Sequence, residues 1–209
     1  MKSRESSGGA LAPLSVADTR LRDGARGRRQ TSSGGALAPL SAADIAMRDL
    51  MGELHLSGRR RLRGFDYTGR NAYHIATVTC LRKPLLTEQV AAEVATQIRA
   101  AAEREDFELL AFIVMPDHVH VLVQGRSDGA DLVRFVQRFK QMTGFAYKKR
   151  TGEPLWQWSF YDRIVRKEED IAAMALYIVR NPERAGLVPV GATWPFAGGS
   201  LVEAALPLI

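Results

Sequence analysis

The pattern of hydrophobic and polar positions predicts four strands and three helices after residue 71. Runs rich in β-branched and aromatic residues predict the strands, and longer stretches whose apolar residues recur three and four positions apart predict the helices. Along the chain, the predicted elements are a strand at 72–80, a helix at 87–105, strands at 107–115 and 118–124, a helix at 130–149, a strand at 160–167 and a helix at 168–181. Pro116 and Asp117 are turn residues, so the second and third strands should pair antiparallel.

This order of elements determines the predicted fold class. Strand, helix, strand, strand, helix, strand is the order of the ferredoxin-like, or split βαβ, fold. We therefore predict an α+β domain in which an antiparallel sheet carries helices on one face, and a further C-terminal helix follows. The other face of the sheet should be partly open. Because this fold carries many functions, it says little about activity by itself.

The last predicted helix has one apolar stripe and two polar side chains at its border. The stripe consists of residues at positions i, i+3, i+4 and i+7, namely Ile171, Met174, Ala175 and Ile178. Pro182 disfavours helical geometry at the residue before it, so the helix should end at Asn181. Tyr177 and Asn181 are four residues apart and should lie one above the other. They are either a boundary tyrosine with a polar helix end, or two groups that face a functional site.

The third predicted strand contains two histidines, His118 and His120, separated by one residue. Side chains at i and i+2 of a strand point to the same face, so the two imidazoles should lie side by side while Val119 points away. Such a pair is suited to binding a metal ion. The alternative is that both are ordinary polar residues on an open sheet face.

Composition limits the class of protein. A chain of 209 residues with 46% hydrophobic content can form one domain with a full core and a flexible arm. Cys80 is the one cysteine, so neither an internal disulfide nor a closed Cys/His zinc cage can form. Since no apolar run is long enough to cross a membrane and no secretory leader is recognisable, we expect a cytoplasmic protein. The net charge of +6 favours a polyanionic partner.

Residues 1–50 do not resemble a folded region. The segment Ser6–Ser15 recurs unchanged as Ser32–Ser41, and it is too rich in Gly, Ser and Pro to form a stacked repeat. We expect these fifty residues to be disordered. A basic cluster follows, formed by Arg59, Arg60, Arg61 and Arg63. It is either a solvated face or a set of phosphate contacts.

Three segments together resemble one protein family. The stretch Met115–Val123 with its His pair, the stretch Trp156–Arg163 and the stretch Tyr177–Val188 with its Tyr-x-x-x-Asn-Pro motif resemble the REP-associated tyrosine transposases. These are single-tyrosine members of the HUH superfamily, in which U denotes a hydrophobic residue. The resemblance covers roughly residues 64–190, with the motifs in the expected order. It departs at Trp158, where such proteins often carry Arg.

The resemblance implies a mechanism and a set of site residues. His118 and His120 would hold a divalent cation, Mg²⁺ or Mn²⁺, with Asn181 as a third ligand, although imidazole equally suits zinc. Tyr177 would be the nucleophile that attacks a DNA phosphate, giving a 5′-phosphotyrosine and a free 3′-OH. The substrate would be single-stranded or hairpin DNA with palindromic repeats. Related proteins act as dimers or monomers, and we favour a monomer over a homodimer.

The resemblance also suggests the residues that contact DNA and the division of the chain. The expected contacts are the arginine cluster at 59–63 together with Arg138, Lys140 and Arg163. Trp156, Trp158 and Tyr161 either stack on unpaired bases or pack in the core. We divide the chain into a duplicated segment at 1–50, a basic arm at 51–70, a catalytic domain at 71–190 and a C-terminal tail at 191–209.

Genes of this family are associated with short palindromic repeats. The duplicated peptide is therefore either such DNA translated in frame, with the true start at Met47 or Met51, or a tolerated basic tail.

Two other functions fit part of the pattern. A ferredoxin-like sheet with surface histidines would suit a non-catalytic protein that binds single-stranded DNA or RNA, and this alternative predicts binding without cleavage. A histidine-triad nucleotide hydrolase also begins with His-x-His on a strand, but Leu122 stands where the next histidine of that motif would be. We therefore disfavour the hydrolase.

Overall fold

The computed structural model describes residues 64–165 and 168–205. In chain order, the elements are β1 (Ala72–Val78), a 3-10 turn (Cys80–Arg82), α1 (Glu88–Arg104), β2 (Phe107–Val114), β3 (His118–Gly125), α2 (Leu132–Thr151), β4 (Tyr161–Val165), α3 (Glu168–Val179), α4 (Asn181–Arg184), β5 (Ala197–Gly198) and α5 (Ser200–Ala205). The elements from β1 to α3 follow the predicted order, and their bounds differ from the predicted ones by a few residues.

Local signals explain where the helices begin and end. The Asp131 side chain accepts a hydrogen bond from the backbone N–H of Arg134 at 3.0 Å and caps the start of α2. That helix ends at Gly152, whose φ of +81° is a left-handed conformation that glycine adopts without strain. Helix α3 ends at Val179, two residues before the predicted end, and Asn181 and Pro182 begin the short helix α4.

In the described part of the chain, the strands form one five-stranded antiparallel sheet in the order β4-β1-β3-β2-β5. The first four strands of that order have the ferredoxin-like arrangement. The predicted fold class, an α+β domain built on an antiparallel sheet, is therefore confirmed. The two central strands, β1 and β3, run side by side through the middle of the sheet, and β4 lies at the edge next to β1.

Helices cover both faces of the sheet. Helices α1 and α2 pack on one face around a core that includes Ile98, Val121 and Phe135. The opposite face, which we expected to be partly open, carries α3 and α5, with Ile178 of α3 packed near Leu122 of β3. The nearly continuous apolar run of β2 agrees with a strand buried on both sides. The packing of Ile178 near Leu122 holds helix α3 against the sheet face that carries the histidines.

The C-terminal segment is part of the fold, whereas the sequence led us to expect a tail from residue 191. Ala197 and Gly198 pair with the edge of β2, and the Trp194 indole N–H donates to the Val114 carbonyl at 2.9 Å. A strand of two residues is too short to produce a recognisable alternation, so sequence patterning misses it. Gly199 is required beside it, because φ is +118° and a Cβ there would lie 2.5 Å from the Leu110 carbonyl oxygen.

Several sequence predictions fall outside the described residues. The duplicated segment at 1–50 and the arginine cluster of Arg59, Arg60, Arg61 and Arg63 both lie in the stretch 1–63. In the ranges that the structure does describe, no helix is both long enough and apolar enough to cross a membrane.

Candidate active site

The predicted histidine pair lies on the sheet face that α3 covers. His118 and His120 point to this face from β3, because Val119 and Val121 point into the core on the other side. The two imidazole rings are 4.9 Å apart between centroids and nearly perpendicular to each other. The structure thus brings together the two side chains that the alternation predicted.

Each histidine of the pair has one ring nitrogen bound and the other without a partner. The Nε2 atoms of His118 and His120 are both buried and make no hydrogen bond within the described part of the chain. His74 Nδ1 on the same face is likewise buried without a hydrogen-bond partner among the described residues, and such unpaired nitrogens are rare in protein interiors. The Nδ1 atoms of His118 and His120 contact Asp117 and His74, respectively. An Nε2 pair with occupied Nδ1 atoms is the pattern of metal-binding histidines.

Asp117 orients His118. Its Oδ1 atom lies 2.6 Å from His118 Nδ1, and the hydrogen bond to His118 lowers the pKa of the Asp117 carboxyl. From the sequence, Asp117 is either a turn residue or a partner that orients an imidazole, and we favoured the turn. It does lie in the short connection between β2 and β3, and its carboxylate also fixes the ring of the neighbouring histidine.

A third histidine, which sequence reasoning missed, completes the row. His74 of β1 lies on the same sheet face, and its Nε2 atom is 3.1 Å from His120 Nδ1. The two rings stack with centroids 5.2 Å apart, and both residues are fully buried. The strand pattern places His74 on one face of β1, but its pairing with His120 depends on the register between β1 and β3, which a single sequence does not reveal.

The two buried histidines are held in the neutral form. Burial, with a contribution from the Arg163 guanidinium, lowers the pKa of His74 to about 3. Burial and then the neighbouring His118 lower the pKa of His120 well below its usual range. Neutral imidazole is the form that binds metal ions.

Tyr177 lies on α3 beside His120. Its ring centroid is 6.5 Å from that of His120, at an interplanar angle of 76°. The Arg184 guanidinium carbon lies 4.1 Å from the centre of the Tyr177 ring. A second tyrosine, Tyr161 at the start of β4, contacts the other end of the row, with its ring centroid 6.2 Å from that of His74.

Asn181 follows Tyr177 at the helix end, as predicted, and is buried. Its amide nitrogen donates to the carbonyl oxygens of Tyr177 and Ile178 at 3.0 and 3.1 Å. The side-chain oxygen is therefore the atom that remains for a metal. Among the described residues, no group of three or more His, Cys, Asp or Glu side chains is arranged to hold a metal ion. The residues present fit a site with two histidines whose remaining ligands are of another kind.

The described candidates for DNA contact have different surroundings. Arg138 pairs with Glu105 at 2.5 Å, and the Lys140 ammonium donates to the carbonyl oxygens of Gln157 and Ser159 at 2.8 and 2.9 Å. Arg163 is exposed on β4, opposite His74 in the register. Arg163 is thus the candidate nearest the histidine row.

Comparison with known proteins identifies a family. The family model described as "Transposase IS200 like" matches residues 68–181, which include both predicted histidines, Tyr177 and Asn181.

Two proteins of known name are similar to this chain. A protein of Escherichia coli K12 named REP-associated tyrosine transposase is 30% identical over 119 residues, covering 56% of this chain and 68% of that protein. A protein of Haemophilus influenzae assigned by name to the same group is 28% identical over 144 residues, covering 63% of this chain and 81% of that protein.

A solved structure supports the fold. It is a REP-associated tyrosine transposase bound to a REP hairpin, and it matches with a TM-score of 0.55 and 23% identity over 66% of this chain and 81% of that one.

Proposed function

Because the chain belongs to the IS200-like transposase family, as a REP-associated tyrosine transposase, we propose that it cleaves and rejoins single-stranded DNA through a covalent bond to Tyr177. The observation that carries this proposal is the position of Tyr177 beside His120, which together with His118 has an unpartnered Nε2 atom. A nucleophile and a metal-binding pair in contact are the minimum that such a reaction needs.

The metal site consists of residues from two elements. The Nε2 atoms of His118 and His120, with the amide oxygen of Asn181, would hold Mg²⁺ or Mn²⁺. The chemistry supplied by such a cation would be polarisation of the scissile phosphate and stabilisation of charge on its oxygens. Because Asp117 holds His118 Nδ1, the lone pair of His118 Nε2 points away from that contact.

His74 orients the His120 ring through its Nδ1 atom, as Asp117 orients the His118 ring. Binding through His120 Nε2 requires the proton of that ring to reside on Nδ1, where it can be donated to His74 Nε2 at 3.1 Å. His74 is therefore a positioning residue that sets the tautomer and orientation of a metal ligand.

The covalent step is an exchange of phosphate esters. The Tyr177 oxygen gives up its proton and forms a bond to phosphorus, the bond between phosphorus and the 3′ oxygen of the preceding nucleotide breaks, and that departing oxygen takes up a proton. The products are a 5′-phosphotyrosine and a free 3′-OH. Because the energy of the phosphodiester bond is retained in the phosphotyrosine, a second 3′-OH can attack it and rejoin the strands. The Arg184 guanidinium above the Tyr177 ring favours negative charge on the phenol as this occurs.

The substrate that we propose is hairpin DNA with a single-stranded flank. The solved relative was bound to a REP hairpin, and the net charge of +6 suits such a partner. Exposed Arg163 and the arginine cluster at 59–63, in the arm before the catalytic domain, would contact phosphates. We propose that one chain suffices for the reaction, since Tyr177 contacts the His120 of its own chain.

The test is formation of a covalent adduct. The protein is incubated with a 5′-labelled and a 3′-labelled hairpin oligonucleotide, with and without Mn²⁺, and resolved on a denaturing gel. We expect a metal-dependent adduct that Tyr177→Phe abolishes with DNA binding retained. Tyr161→Phe is the matched control, because Tyr161 also contacts the histidine row. An adduct that survives Tyr177→Phe and is lost in Tyr161→Phe would move the nucleophile, and binding without any adduct would identify a non-catalytic binder.

A further inference from the structure

Trp158 is a tryptophan with its entire side chain in solvent, at 101% relative exposure. An indole exposes a large apolar surface, and tryptophan is a residue type that is concentrated at binding sites. Trp158 lies in the segment between α2 and the edge strand β4. Nothing in the cleavage chemistry proposed above uses it.

The backbone that carries Trp158 is fixed from several directions. The Trp156 indole N–H donates to Thr143 Oγ1 at 2.8 Å, and the Gln157 N–H donates to the Val78 carbonyl at 3.0 Å. Lys140 donates to the carbonyl oxygens of Gln157 and Ser159, the residues immediately before and after Trp158. The exposed indole is therefore presented on a rigid support, which lowers the entropy cost of binding a ligand.

A cavity of about 510 Å³ lies between this segment and α2, and Trp158 is one of its lining residues. Its lining, which lies wholly in the described part of the chain, includes two lysines, Lys140 and Lys148, and no carboxylate. Gln137 and Gln141 of α2 supply amide groups that can both donate and accept hydrogen bonds. A flat aromatic face with cations and amides nearby matches the chemistry of an unpaired nucleotide.

Trp158 is close along the chain to one end of the histidine row. Trp158 is three residues before Tyr161, which contacts His74 at the end of the histidine row. Three residues span at most about 10 Å of extended chain. The cavity lies on the α2 side of the sheet and the histidines lie on the α3 side, so a single strand whose phosphate lies at the histidines would pass around the edge strand β4 to place a neighbouring base at Trp158.

We propose that Trp158 is the stacking platform for an unpaired base in the single-stranded flank of the DNA substrate, next to the phosphate that Tyr177 attacks. The base stacks on the indole, and Lys148 and the two glutamines of α2 contact the same nucleotide at the cavity wall. This inference rests on the proposed function for its substrate. It adds a specificity-determining contact that is separate from the metal and the nucleophile.

Binding is measured with a fluorescently labelled hairpin that carries the flank, in the Tyr177→Phe background so that no adduct forms. Loss of one stacking base corresponds to roughly 5- to 150-fold weaker binding, and Trp158→Ala should show a loss in this range. Trp158→Phe, which keeps an aromatic face, should restore most of the affinity. Phe145→Ala is the matched control, because Phe145 is an exposed aromatic residue of α2 outside the cavity lining and should bind normally.

Abasic substitutions along the flank identify the base. Replacing one flank nucleotide by an abasic residue should weaken binding by the Trp158 protein, and the same replacement should have no further effect in Trp158→Ala. Equal losses in both proteins would overturn the proposal. Normal DNA binding by Trp158→Ala would also overturn the proposal. If that variant binds DNA normally but has an altered oligomeric state, the indole is a contact between protein chains instead.

The two proposals fail in different ways. If the protein with Tyr177 forms the adduct and Trp158→Ala binds DNA normally, the stacking platform is wrong and the cleavage mechanism stands. If binding depends on Trp158 and the flank base but no adduct forms, the cleavage mechanism is wrong and the platform stands. Because Trp158 is fully exposed, its substitution should leave the thermal unfolding midpoint unchanged, which separates a binding loss from a folding loss.

Discussion

Tyr177 and His120 of the same chain are in contact, with ring centroids 6.5 Å apart. The contact is possible because α3 packs across the sheet face that carries the histidines, with Ile178 and Met174 buried against that face. The candidate nucleophile and the candidate metal ligands are therefore assembled within one polypeptide.

This arrangement predicts that the site does not need a second chain. A mixture of Tyr177→Phe and His120→Ala proteins contains no chain with both groups intact, so the mixture should form no adduct. Each variant is first checked for normal unfolding and for DNA binding. Recovery of adduct in the mixture, at a level that depends on protein concentration, would show that α3 is exchanged between subunits.

We expect His74→Phe to weaken metal binding while leaving the fold intact. Phenylalanine preserves the stacked ring but cannot accept the His120 Nδ1 proton, and loss of such a partner typically costs about 10- to 100-fold in metal affinity. Titration of Mn²⁺ into the protein without DNA measures the effect. His118→Ala, which removes a ligand itself, should lower the affinity further. Equal affinity in His74→Phe and the unmodified protein would refute the positioning role.

Arg184→Met should slow cleavage at saturating DNA. The guanidinium lies 4.1 Å from the centre of the Tyr177 ring, and we expect it to stabilise the developing phenolate over the neutral phenol by about the 0.5–2 kcal/mol of a cation near an aromatic ring. We therefore expect a decrease of roughly 2- to 30-fold in the single-turnover rate, with Arg184→Lys less affected. The dissociation constant for DNA is measured in parallel, and a change confined to that constant would assign Arg184 to phosphate binding alone.

Gly199→Ala should destabilise the protein by about 2 kcal/mol. A Cβ at this position would meet the Leu110 carbonyl oxygen at 2.5 Å, and φ of +118° is unfavourable for alanine. Gly129→Ala is the control, because the nearest atom to its Cβ would be Ser127 Oγ at 3.8 Å. Urea unfolding of both variants provides the comparison. Equal stability of the two variants would mean that the C-terminal strand is dispensable, as the sequence-based prediction of a tail at 191–209 implies.

The sequence predicted the structure correctly where the spacing of apolar and polar residues along a short segment determines which face a side chain occupies. Alternation placed His118 and His120 on one face, and the helical spacing placed Tyr177 at the border of an apolar stripe. Both features depend only on residues close together along the chain. The same periods predicted the order of elements, and that order was sufficient to derive the antiparallel sheet.

What the sequence did not reveal depends on pairings between distant segments. The contact of His74 with His120 follows from the register of β1 against β3. The two carbonyl contacts of Lys140 follow from the path of the chain at 157–159, and its contact with DNA stays a prediction. Only the three-dimensional fold defines such relationships.

The most direct test of the central claim is to identify the residue that becomes covalently attached to DNA. The adduct formed with Mn²⁺ is digested with protease and nuclease, and the modified peptide is sequenced by mass spectrometry. Our account predicts a nucleotide 5′-phosphate on Tyr177, within the peptide that continues to Arg180. A modification on Tyr161 or on any other residue, with Tyr177 unmodified, would contradict it.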